Sequence, residues 1–304
     1  MMGATQRRNP AATWPRVLVF LGLLVLLTSG FWALSWLAAL GKWSFGGPKT
    51  RELFVTGLMW CPGVAALLSC ALLRKRLSSL GMRLPRIRYL GFGYAYPVLY
   101  MVLAYAAIWC FGVGTPDTAP MALEAGKRFT LQASPAVLVA VSIAVTASVG
   151  VLAEIGRSLG EELGWRGFLV PELCRRHRLE FAGVLSGIVW GLWHFPLFLA
   201  TGFGGIPAWY ALACFILAIV PLGYVCAWLR WRSGSVWPAV VLHSAHNALL
   251  YPVFDAMTIA DSKSAAYFTG ETGAALALVN LGGALLLWRA TRRPVRERSS
   301  AAAA

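Results

Sequence analysis

The sequence predicts an all-α, polytopic membrane protein of about eight transmembrane helices. Three observations lead there. Hydrophobic residues make up 58% of the 304 positions and charged residues 13%, about half the charged share of an ordinary soluble domain. The runs 17–40, 53–73, 89–113, 134–153, 181–200, 208–229, 233–254 and 272–288 contain no Asp, Glu, Lys or Arg. Each is about as long as the ~17–25 residues a helix needs to cross the hydrocarbon, the last only just. Finally, the basic residues sit between these runs, and many of the 14 Trp lie near run ends, as in interface belts.

The first run continues through Phe31, Trp32 and Trp36, where a cleaved leader would need small residues, so it reads as a permanent span. If both termini are cytoplasmic and the spans alternate, the cytoplasmic segments hold the clusters 74–88, 175–178, 230–232 and 289–298. The opposite side keeps only Lys42, Lys49, Arg51, Lys127, Arg128 and Lys263. The positive-inside rule therefore predicts a multi-pass protein of the cell membrane with cytoplasmic ends. The formal charge of +15 belongs to this pattern. No basic groove with interleaved aromatics is present, so the lipid bilayer, and not nucleic acid, is the expected partner.

The expected organisation is a cytoplasmic segment 1–16, one helical domain 17–290 and a disordered basic, Ala-rich tail 291–304. No internal repeat is visible, which disfavours a transporter. The six cysteines include no CxxC pair, so neither a structural metal nor a disulfide framework is expected.

Chemistry concentrates at residues 154–166, EIGRSLGEELGWR, where five charges stand between apolar spans. Ionisable groups at membrane depth are costly and point to function. On a helix Glu162 and Arg166 are i and i+4 and can pair on one face. Glu161 points about 100° away from Glu162. One carboxylate can then be neutralised while the other faces a separate space. The bland alternative is an interhelical salt bridge without chemistry. The glycines Gly156 and Gly160 suggest local irregularity near Glu161. His194 lies in another span, and His243 and Asn247, i and i+4, share one face of a third. Counted from the cytoplasmic ends of their helices, Glu161, His194, His243 and Asn247 fall at similar depth, roughly 15–21 Å along. His246 points elsewhere, and His177 reads as solvated.

These residues resemble the CPBP family of CAAX prenyl endopeptidases and abortive-infection or bacteriocin-processing membrane proteins. The EExxxR motif appears as Glu161, Glu162 and Arg166. The FxxxH motif appears as Trp190 and His194, with Trp where the family has Phe. The HxxxN motif appears as His243 and Asn247 after an SVWP entry at 235–238. The loop 80–83 is also similar, and the resemblance covers about 50–255. It implies a glutamic endopeptidase in which Glu161, helped by His194, activates water. His243 and Asn247 would hold the oxyanion, and Glu162 with Arg166 would support the helix. It implies no cofactor and a peptide or protein substrate in or near the membrane, a prenylated CAAX protein among the candidates. Two arrangements compete. One is a zinc peptidase using Glu161, His194 and His243 as a His₂Glu set, though HExxH is absent. The other is a non-enzymatic immunity or scaffold protein.

Overall fold

The computed structural model describes residues 13–203, 205–259 and 264–292. Helix α1 spans Thr13–Ala39, α2 Pro48–Leu72, α3 Ile87–Cys110 and the short α4 Ala119–Phe129. The fourth long helix runs without a break over Pro135–Leu173. It comprises α5 (Pro135–Val145), a π-helical segment Thr146–Gly150, α6 (Val151–Glu162), a second π segment Leu163–Leu169 and α7 (Val170–Leu173). Helices α8 (Leu179–Thr201), α9 (Ala208–Ser233), α10 (Trp237–Leu249) and α11 (Ala274–Arg292) follow. A π segment, Leu250–Asp255, continues α10. One two-residue ladder, β1 Thr115–Pro116 against β2 Thr258–Ile259, ties two loops together antiparallel.

Seven of these helices are long and apolar enough to cross a membrane, and each overlaps one of the charge-free runs. The run 233–254 is the exception. It folds into α10 and its π extension, but the polar residues His243, Ser244, His246 and Asn247 interrupt its apolar character. The reason is functional geometry: this helix stands inside the bundle, against α3, α6 and α9, and turns its polar residues inward. The protein is therefore an integral membrane protein of the polytopic all-α class. Of the expected cytoplasmic segment 1–16 and the expected tail 291–304, residues 1–12 and 293–304, with Arg7, Arg8, Arg293, Arg296 and Arg298, lie outside the described residues, as does Lys263.

The helix Pro135–Leu173 has 39 residues. At ~1.5 Å per residue it is roughly twice as long as the hydrocarbon is thick. Its two halves differ. The α5 face is largely exposed, whereas Gly160 to Val170 are buried without exception. The expected irregularity is present but not at the expected glycines, because α6 passes straight through Gly156 and Gly160. Gly160 serves close packing instead. A Cβ there would meet the Met59 carbonyl oxygen at 2.8 Å and Trp60 Cα at 2.9 Å, so its absence lets α2 and α6 touch. The wide π turn begins at Leu163, just after the two glutamates. π segments inside α-helices are often found at functional sites.

The second π turn is braced from outside. Arg230, in the last turn of α9, donates from Nε to the Arg166 carbonyl at 3.0 Å and from Nη2 to the Ser79 carbonyl at 3.1 Å. Gly81, at φ +81°, leaves room for that guanidinium, since a Cβ would lie 2.6 Å from it. The Val236 N–H donates to the Gly81 carbonyl at 3.0 Å, and the Trp237 indole to the Met82 carbonyl at 2.8 Å. The loop 80–83 thus locks α9, α10 and the π turn together. A buried ionic cluster does similar work nearby: Glu172, 1% exposed, receives Lys75 and lies 3.5 Å from Arg16.

Candidate active site

The helix Pro135–Leu173 delivers Glu161 and Glu162, which are adjacent in sequence and face different partners. Glu162 accepts from Arg166 Nη1 at 2.8 Å, and both side chains are fully buried. The Arg166 guanidinium also lies 4.3 Å from the centroid of the Trp190 ring, a cation–π contact. The remaining link is to α10, whose His243 Nδ1 approaches Glu162 Oε1 at 3.1 Å. A carboxylate ion-paired to arginine can only accept, so His243 Nδ1 carries the hydrogen. The ring's Nε2 is then a lone pair in the neutral form and an N–H donor only in the imidazolium.

Glu161 is 1% exposed and forms no ion pair among the described residues. Its Oε2 accepts two indole N–H groups, from Trp190 at 2.6 Å and Trp165 at 3.2 Å. A carboxylate needs several donors when taken out of water, and here two tryptophans supply them. The Phe found in the related motif lacks an N–H, so Trp190 does something that Phe cannot. With Oε2 occupied, Oε1 is the oxygen left for another partner.

His194, one turn after Trp190 on α8, directs Nδ1 at the Trp190 carbonyl at 2.9 Å. A carbonyl only accepts, so Nδ1 carries the hydrogen, and the Nε2 of the neutral ring is a lone pair. Rings of Trp193 and Phe215 pack edge-on against the imidazole at 4.8 and 5.4 Å, which fixes its plane.

Glu161, His194, His243 and Asn247 line one cavity of about 290 Å³. Three separate helices thus bring them together, while Glu162 and Arg166 stand behind it. Apolar side chains, among them Phe54, Leu58, Phe198 and Leu222, form much of the remaining wall. Among the described residues no group of three or more His, Cys, Asp or Glu side chains is placed to hold a metal ion. Glu154 and Arg157 pair with one another. His177 is half-buried, its ring 4.4 Å from that of Phe181 and 5.7 Å from that of Trp14, and so is less solvated than its basic loop suggests.

His246, expected from the sequence to point elsewhere, lines this same cavity, because it stands at i+3 from His243 and so on the same side of α10; Glu271 and Asn280, which sequence reasoning missed, line it too. His246 Nε2 lies 3.0 Å from Glu271 Oε1, and its Nδ1 pairs with the Tyr100 hydroxyl. A signal existed for the latter two. Glu271 is the last acidic residue before the final apolar run, and Asn280 is the one amide side chain within it.

Fold and site together define a polytopic α-helical membrane protein with a carboxylate, two imidazoles and a primary amide converging on a buried cavity. Residues 134–249 match the family described as type II CAAX prenyl endopeptidase Rce1-like. That segment contains all four residues. It is also 37% identical over 93 residues to a CAAX prenyl protease 2 of Methanococcus maripaludis. That match covers 29% of this chain and 34% of the relative, so the chain spans about a third of the length of the curated relative it matches.

Proposed function

We propose that the protein is an intramembrane endopeptidase in which Glu161 activates a water for attack on a peptide carbonyl. The observation that carries this reading is the convergence of Glu161, His194, His243 and Asn247 on one cavity from three helices. A water placed between Glu161 Oε1 and His194 Nε2 meets two acceptors. It gives a hydrogen to each and turns a lone pair away from both, toward a carbonyl carbon. As the new C–O bond forms, Glu161 takes the water's proton. It then returns that proton to the leaving nitrogen as the C–N bond breaks, which is ordinary general base and general acid work. The oxyanion is held by the Asn247 amide, which donates at any pH, and by His243 as the imidazolium. Such donors in a water-poor site can each contribute roughly 3–4 kcal/mol. Glu162 and Arg166 position His243 and the helix. No covalent intermediate and no metal enter the scheme.

The substrate is a peptide or protein held at the membrane, and a prenylated CAAX terminus is the first candidate. The name of the Methanococcus relative and the matching family segment support that choice, and the apolar wall of the cavity suits a chain entering from lipid. The bias of basic residues between the spans supports cytoplasmic termini and a place in the cell membrane.

The test is cleavage of a peptide library, including farnesylated CAAX peptides, by purified protein. Wild type, Glu161→Gln and wild type with chelator are compared. Glutamine keeps an oxygen for the two indoles, so the variant is expected to fold and to lose about 10²–10⁴-fold in rate. Activity retained in Glu161→Gln would refute the general base, and activity lost to chelator would move the assignment to the His₂Glu metal set.

A further inference from the structure

The cavity has a second polar end that the proposed chemistry leaves unused. Asn280, in α11, is 1% exposed and lines the cavity, yet its amide oxygen has no hydrogen-bond partner among the described residues. Burying an amide oxygen unpaired is unfavourable, so the position is poised for a ligand group. Glu271 lines the same cavity. If the Tyr100 hydroxyl donates to His246 Nδ1, then Nε2–H donates to Glu271, the imidazole is neutral and the carboxylate keeps its charge. The loop carrying Glu271 is built in place: the Gly270 N–H donates to the Tyr105 hydroxyl at 3.2 Å, and that hydroxyl donates to Asp255. Among the described residues no Lys or Arg lines the cavity. This end therefore accepts N–H groups and disfavours a terminal carboxylate.

We propose that Asn280 and Glu271 form a substrate subsite that holds main-chain amides of the peptide away from the reacting carbonyl. An extended peptide offers an N–H and a C=O at each residue. A primary amide can answer both, while a carboxylate can accept an N–H. Both residues lie outside the family-matching segment 134–249, so the subsite is supplied by this chain's own C-terminal helix and the loop before it. The inference rests on the peptidase reading above.

The probe is a fluorescent, farnesylated peptide ending Cys-Val-Ile-Met, titrated into the inactive Glu161→Gln protein in detergent and followed by anisotropy. Adding Asn280→Leu, similar in size and unable to hydrogen-bond, is expected to weaken binding about tenfold while Tm stays equal or rises. A scan of singly N-methylated peptides is expected to find one amide whose methylation costs about as much. The two losses together should be no larger than either alone. An unchanged Kd in the Asn280→Leu protein, a lowered Tm, or losses that multiply would overturn the subsite. If Glu161→Gln with Asn280 intact does not bind the peptide and wild type does not cleave it, the peptidase reading falls first, and the subsite with it.

Discussion

Arg166→Met is the most severe perturbation the site offers. Arg166 is fully buried, pairs with Glu162 at 2.8 Å and lies 4.3 Å from the Trp190 ring. Removing it leaves Glu162 as a buried carboxylate with, among the described residues, only His243 as its partner. Breaking one side of a buried ion pair costs about 3–5 kcal/mol, and the lost cation–π contact adds up to about 2 kcal/mol. A protein of ordinary stability has about 5–15 kcal/mol in total, so Arg166→Met should lose much of it. The assay is thermal unfolding in detergent by intrinsic Trp fluorescence, alongside folded yield after size exclusion. The double variant Glu162→Gln with Arg166→Met carries no orphaned charge, and Gln can still accept the His243 N–H. It is expected to recover most of the lost Tm without recovering cleavage. If Arg166→Met alone keeps the wild-type Tm, the buried pair is not what holds this turn. If the double variant is as unstable as the single one, the loss comes from packing and not from the uncompensated charge.

Three further outcomes are expected. Asn247→Ala should lower kcat about 10²–10³-fold through loss of one oxyanion donor with Tm unchanged; an equal fall in Tm would mark Asn247 as structural. His243 donates from Nε2 only when protonated, so the rate of wild type should fall as pH rises through its titration. His243→Gln, whose amide donates at any pH, should be slower and lack that alkaline limb; a limb that persists in the variant belongs to another group. Gly160→Ala should destabilise by about 1–3 kcal/mol, read as Tm, because its methyl meets the Met59 carbonyl at 2.8 Å; a wild-type Tm would show that α2 can simply move.

Much of this protein was settled by local properties of the chain. Burying backbone polar groups in lipid admits helices and long apolar runs, so the spans and the all-α class follow from composition and spacing alone. The Glu162–Arg166 pair is equally local, because i and i+4 side chains meet on any helix of this type, and the two faces of the adjacent glutamates follow from the same geometry. What the helix period could not reveal is how the helix departs from it. The π turn at Leu163–Leu169 is held by Arg230 and the loop at Gly81, contributed from distant parts of the chain. Gly160, suggestive of unwinding in the sequence, turned out to be the contact point for α2, since a missing Cβ looks the same in either role. Only the packed bundle brought two indole N–H groups to one oxygen of Glu161. It also decided which imidazole nitrogens carry hydrogen, by placing a carbonyl against His194 and a carboxylate against His243. Asn280 and Glu271 joined the cavity the same way: a lone amide or acid in an apolar stretch acquires meaning from what stands opposite it, and that is a property of tertiary structure, not of the segment that carries it.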